Sequence, residues 1–159
     1  MAQRINYFQQ SPKLAQKFME FSNAVGKTAT LEGLTDLVNI RASQLNGCAF
    51  CLDMHVKEAR MHGERDLRVL HLPVWRESTL FTPRERAALA WTEVLTQLPP
   101  HGVPDEVYDR VRGELSEQEL SDLSFLVMLI NGWNRVNVGF TTPPGSADAM
   151  FGLDKAGLN

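Results

Sequence analysis

The chain of 159 residues has only two cysteines and four histidines, so thiol or imidazole chemistry has few places to sit. Its longest apolar run, Phe125 to Ile130, spans six residues, far short of the ~20 needed for a membrane span. The start, Met-Ala-Gln-Arg-Ile-Asn-Tyr, lacks the apolar stretch of an export signal. There is no basic block: 16 Lys and Arg face 19 Asp and Glu, and the net charge of −3 argues against nucleic acid as the main partner. No segment alternates with the period of a strand, and there is no repeat or low-complexity tract. These absences predict a soluble, intracellular protein without membrane contact, cytoplasmic, with one domain over residues 1–159. In a reducing compartment, two close cysteines point to catalysis or metal binding rather than to a permanent staple.

The patterns that are present are helical. Ser11-Pro12 reads as N-cap and N1 of a helix with Leu14, Phe18, Phe21 and Val25 on one stripe, ended by Gly26. Thr30 is placed to cap a second helix carrying Leu31, Leu34, Leu37, Val38, Ile40 and Leu45, with Asp36 among them. A further helix runs from about Cys48 to Met61, closed by His62-Gly63. Glu64 to Leu72 forms a short helix with Leu67, Leu70 and His71 inward, stopped by Pro73. The irregular stretch Val74–Phe81 carries Trp75 and Phe81, expected to line a pocket or a subunit contact. Thr82-Pro83-Arg84-Glu85 and Ser116 with Glu119 are capping boxes. The first opens a helix that includes Trp91 and Glu93, and the second a long helix to Trp133; Pro104 starts another between them. Asn131, Asn134 and Asn137 recur at threes, as expected for caps or helix–helix hydrogen bonds. From about 141 to 159 the chain reads as an irregular arm lying on a neighbouring subunit. The expected class is all-α, a compact domain of six to eight helices.

The organising stretch is Asn46-Gly47-Cys48-Ala49-Phe50-Cys51-Leu52-Asp53-Met54-His55. Asn-Gly is a turn signal, so one helix can stop and another begin. At about 100° per residue, Cys51 lies about 60° and His55 about 20° from Cys48, so all three share a stripe. Cys48 in the first turn would have its thiolate stabilised by free amides and the helix dipole. His55 can take a proton from Cys51. A dithiol redox site fits this pattern best. Two alternatives remain: a zinc site of Cys48, Cys51, His55 and Asp36 or another His, and a buried structural pair. Structural zinc usually takes four Cys or His ligands, and the chain has no third cysteine.

The run Arg41 to His55 closely resembles the signature of the alkylhydroperoxidase D-like (AhpD-like) branch of the carboxymuconolactone decarboxylase superfamily. Trp75-Arg76-Glu77, Phe81-Thr82, Glu85 to Ala90 and Asn131 to Arg135 also resemble its small stand-alone members, so the similarity runs from about residue 10 to 140. The resemblance implies an all-helical homo-oligomer, trimer or hexamer. It implies peroxidase activity through a dithiol–disulfide cycle, without metal, haem or flavin. It places the family's cysteines at Cys48 and Cys51 and its proton-relay histidine at His55. The relay glutamate, twelve residues before the first cysteine, falls on Asp36, one methylene shorter, with Glu93 and Glu77 as substitute carboxylates. Phe50 stands where alkylhydroperoxidase D has a histidine, which makes the mouth of the site more apolar. The decarboxylase members lack the cysteine pair, so decarboxylation is not implied.

The expected activity is therefore a thiol-dependent alkyl hydroperoxidase of antioxidant defence. His55, oriented by Asp36, deprotonates Cys51; Cys51 attacks the peroxide; Cys48 resolves the sulfenic acid and meets the reductant, an external dithiol such as a lipoyl protein. The alternative is a disulfide reductase or adaptor that passes electrons from a lipoyl-type dithiol to a peroxiredoxin.

Overall fold

Helix α3 (Thr35–Asn46) contributes to three apolar clusters of the molecule, a computed structural model that describes residues 2–158. Its Val38 joins Val25, Trp91, Leu123 and Val127 in one apolar cluster. Leu37 and Ile40 join Leu72, Trp75, Phe81 and Leu89 in a second. Ala42 joins Cys48, Cys51 and Ile130 in a third, small one. Each fully buried Leu or Ile contributes about 1.5–3 kcal/mol, so α3 is held by the sum of three cores while it positions the sulfur pair.

The surrounding elements are α1 (Tyr7–Gln10), α2 (Pro12–Gly26), α4 (Ala49–Met61), α5 (Asp66–His71), α6 (Pro83–Gln97), α7 (Asp105–Arg112), α8 (Glu117–Phe140) and α9 (Asp148–Phe151). The described residues form nine α-helices and no strand, so the all-α class holds and the count exceeds the expected six to eight by a one-turn helix, α1 or α9. Both capping boxes form, at Thr82 with Glu85 and at Ser116 with Glu119. Helix α8 runs to Phe140 and ends at Thr141 in the left-handed region, φ 52°. None of the described helices is long and apolar enough to cross a membrane.

Several expectations shift. Thr30 lies in a 3-10 turn and donates to Asp122 rather than capping a helix. Gly33 at φ 76° breaks the chain, and α3 starts only at Thr35. Leu14, Leu67 and Leu70 are 74, 52 and 72% exposed, while Ala15 and Leu72 go inside. On α2 Phe18, Phe21 and Val25 do face the first core, so only the first position of that stripe slips; on α5 the packing turns Val69 and Leu72 inward instead. Trp75 and Phe81 sit in the second core rather than on a pocket. Arg86 fastens their loop by donating to the carbonyls of Trp75, Arg76 and Ser78.

The C-terminal arm folds back on its own α4 instead of reaching outward. Lys57, 5% exposed, ties Asp53 at 2.9 Å and Asp148 at 2.6 Å, and the two carboxylates hold its ammonium above the ordinary lysine range, Asp148 most strongly. The Gly145 amide donates to Asp53. Leu153 and Ala156, in a 3-10 turn (Leu153–Ala156), are buried. Replacing Lys57 by Met leaves two partly buried carboxylates unpaired. We expect a loss of about 1–3 kcal/mol, concentrated in the arm. Hydrogen exchange should show residues 145–156 deprotected while α3, α6 and α8 keep their protection.

Candidate active site

Gly47 adopts φ 64° and ψ 31°, the left-handed cap that ends α3, and Cys48 follows at once as N-cap of α4. Cys48 is therefore one residue outside the helix rather than in its first turn. Its sulfur accepts the Cys51 backbone N–H at 3.3 Å, a capping role usually filled by an oxygen. Both cysteines are free and 2% exposed. The Cys51 thiol donates to the Cys48 sulfur, and this bond is the main cause that brings Cys48 down to about 7. The Cys51 amide, Asn134 and His55 act in the same direction, against burial. Cys51 is pushed well up, first by its bond to Cys48 and then by burial. The first negative charge of the pair thus sits on Cys48.

His55 lies beyond Cys51 on α4, and both line one cavity of about 510 Å³. The imidazole Nδ1 is 2.6 Å from Glu58, three residues on, which also lines the cavity. The other carboxylates named from the sequence are elsewhere. Asp36 bonds His62 Nδ1 at 2.8 Å on the outer end of α4, so its shorter side chain is held by a different imidazole. Glu93 is 8% exposed and bound by Arg41, Trp75 and Arg76 at 2.5–2.8 Å. Burial opposes its ionisation, yet these three donors hold its carboxyl below the usual range. Its role is to lock α3, α6 and the Trp75 loop together. Glu77 is exposed and makes no side-chain bond among the described residues.

Helix α8 closes the other side with amides. Asn134 is fully buried, accepts from Asn46 at 2.8 Å and donates to Ser43 at 3.1 Å. Asn137 donates to the Cys51 sulfur at 3.6 Å and accepts from the Tyr7 hydroxyl at 3.1 Å. Asn131 accepts from Asn46 at 3.0 Å and donates to Thr96 at 2.9 Å. The repeat at threes thus serves both helix packing and the sulfur pair. Glu58 was available in the sequence as the i+3 neighbour of His55; Tyr7 left no such signal. The cavity walls are mostly apolar, with Phe50, Met54, Leu129, Trp133 and Phe151, and the buried Thr142 hydroxyl on its rim has no partner among the described residues. No three His, Cys, Asp or Glu side chains among the described residues are grouped to hold a metal.

An all-helical fold whose central hairpin sets two thiols at a helix start, beside an imidazole in an apolar cavity, defines a small dithiol class. The chain belongs to the carboxymuconolactone decarboxylase family, in its AhpD-like branch, and residues 12–94 match the family. It is 38% identical to the uncharacterized protein YdfG of Bacillus subtilis (strain 168) over 138 residues, 87% of this chain and 94% of that protein. It superposes with a TM-score of 0.86, at 37% identity, on ATU0492 of Agrobacterium tumefaciens, a protein of unknown function provisionally assigned as the antioxidant defence protein AhpD; 90% of this chain and 98% of that one are covered. A peroxidase-related protein of Ralstonia eutropha JMP134 shares the fold at 17% identity and TM-score 0.76, over 87% of this chain and 74% of that one.

The acid–base order is directly measurable. In the reduced protein, thiolate absorbance near 240 nm should rise by one thiolate per chain with a midpoint near 7, and the second thiol should stay protonated beyond the range of a free cysteine. For stability the two signs differ. The Cys48 contribution is complete above the free-cysteine value of about 8.5 and is lost as pH falls through about 7. The Cys51 contribution is present below about 8.5 and is lost as pH rises beyond it. Two thiolates titrating together near 8.5 would contradict this arrangement.

Proposed function

We propose that the protein is a thiol-dependent peroxidase of antioxidant defence that reduces organic hydroperoxides by cycling Cys48 and Cys51 between dithiol and disulfide. One observation carries the reading: Cys51 lines an apolar cavity with Asn137 donating to its sulfur, while its own backbone N–H donates to the Cys48 sulfur beside it. Cys51 is the sulfur a hydroperoxide can reach, since Cys48 is not among the cavity walls. Its proton passes to Cys48 or His55 as its sulfur attacks the terminal peroxide oxygen. The O–O bond breaks, the alkoxide takes a proton, and Cys51 becomes a sulfenic acid. Cys48, again as thiolate, attacks that sulfur; the S–O bond breaks and hydroxide leaves as water after protonation. The balance is one dithiol and one hydroperoxide giving one disulfide, one alcohol and one water.

The return step needs an external dithiol, of which a lipoyl-type group is the proposed example. Attack on Cys51 releases Cys48, the lower-pKa and better leaving group. In this reading the reductant meets Cys51 through the same cavity, and not Cys48. Glu58 orients His55 in the role first assigned to Asp36. The aromatic wall takes the organic tail. Self-association into trimers or hexamers is part of the reading, supported by Phe125 and Met128, 50 and 54% exposed on α8.

Steady-state assays with cumene hydroperoxide and dihydrolipoamide test the reading. Wild type should turn over, and Cys48→Ser and Cys51→Ser should each abolish turnover. With one equivalent of peroxide, Cys48→Ser should accumulate sulfenic acid on Cys51; sulfenic acid on Cys48 in Cys51→Ser would reverse the roles. Glu58→Gln should slow turnover about tenfold or more, and His55→Ala about a hundredfold, while Asp36→Asn stays within about twofold. Turnover seen only with an oxidised peroxiredoxin added would favour the adaptor reading instead.

A further inference from the structure

Tyr7 is 130 positions from Asn137 in the chain, yet its hydroxyl donates to the Asn137 amide oxygen at 3.1 Å. The amide is fully committed. Its nitrogen donates to the Trp133 carbonyl at 3.0 Å and to the Cys51 sulfur at 3.6 Å, and its oxygen faces Tyr7. The ring that brings the hydroxyl there is itself wedged, 4.6 Å from the Phe8 centroid, 6.3 Å from Trp133 and 6.1 Å from Phe140. The segment before it is strapped to the end of α8: the Arg4 amide donates to the Phe140 carbonyl, and the Thr141 hydroxyl donates to the Ala2 carbonyl.

We propose that Tyr7 is a positioning residue of the sulfur pair: it holds the Asn137 amide with its N–H, and not its oxygen, toward Cys51. An amide oxygen without this donor is a buried acceptor with no partner, and the amide must tilt to satisfy it. Tilting weakens the donation that stabilises negative charge on Cys51 as it attacks. The N-terminal segment is thus part of the site and not merely packing for α8. Tyr7 remains a donor throughout the working range, because burial and the neighbouring Cys51 push it up to about 12. The titratable groups around Cys51 are Cys48, His55 and Glu58 from its own segment and Tyr7 from α1. Helix α8 contributes amides there, and α3 contributes Ser43 and Asn46.

This inference rests on the thiol chemistry proposed above, but its test needs no peroxide. In a Cys48→Ser background, the rate of Cys51 alkylation by iodoacetamide is followed against pH with and without Tyr7→Phe. The substitution keeps the ring, so helical circular dichroism should not change. We expect alkylation about two- to tenfold slower at a given pH, and a pH midpoint moved upward. With Asn137→Ala also present, Tyr7→Phe should have no further effect, since the relay is already cut. An unchanged rate and midpoint would overturn the assignment, as would an equally large Tyr7 effect without Asn137. If wild type alkylates as expected but reduces no hydroperoxide, the peroxidase reading fails while the positioning role stands.

Discussion

The Cys48 sulfur has two duties. It is the acceptor that caps α4, and it is half of the dithiol. A helix start needs an acceptor for its free amides, and sulfur meets this need better as a thiolate than as a thiol. Charge on Cys48 and order in the first turn of α4 therefore support each other. Gly47 makes the arrangement possible: a left-handed turn at φ 64° lets α3 stop and α4 begin with only two residues between them. The hairpin is held in turn by α3, whose other faces are anchored in two larger cores.

The rest of the site shields and balances that charge. Helix α8 supplies the neutral amides of Asn134 and Asn137. Among the described residues, the contacts to the sulfur pair include hydrogen bonds from the Cys51 and Asn137 N–H groups. Cys51 keeps its proton yet faces the cavity. Charge and access are thereby divided between two sulfurs in hydrogen-bond contact. The imidazole–carboxylate pair of His55 and Glu58 belongs to the same helix, so one helix and its N-cap carry both sulfurs and the imidazole. Lys57, on that helix too, binds the C-terminal arm, and Phe151 of the arm completes the cavity wall.

What could be read from the sequence was what is local. The capping boxes at Thr82 and Ser116 were legible because donor and acceptor are three residues apart. So was the grouping of Cys51 and His55 on one side of α4. The asparagine spacing was visible, but its partners, Asn46 and Ser43, are 85 to 91 positions away. Leu67 and Leu70 lie outside on α5 because the period of so short a stripe does not give its phase, whereas Phe18, Phe21 and Val25 on α2 pack as their spacing predicts. The family register points to Asp36, but its short side chain reaches His62. The arm was unreadable because its tether joins Lys57 to Asp148, 91 positions apart.

The central claim is that these two sulfurs join reversibly at the expense of a peroxide. Intact mass and free-thiol content, measured after one equivalent of cumene hydroperoxide, test it most directly. The expected result is a loss of two hydrogens, about 2 Da, with both thiols gone and both restored by dihydrolipoamide. A lasting gain of one oxygen, about 16 Da, with one thiol still free, or no change at all, would contradict it.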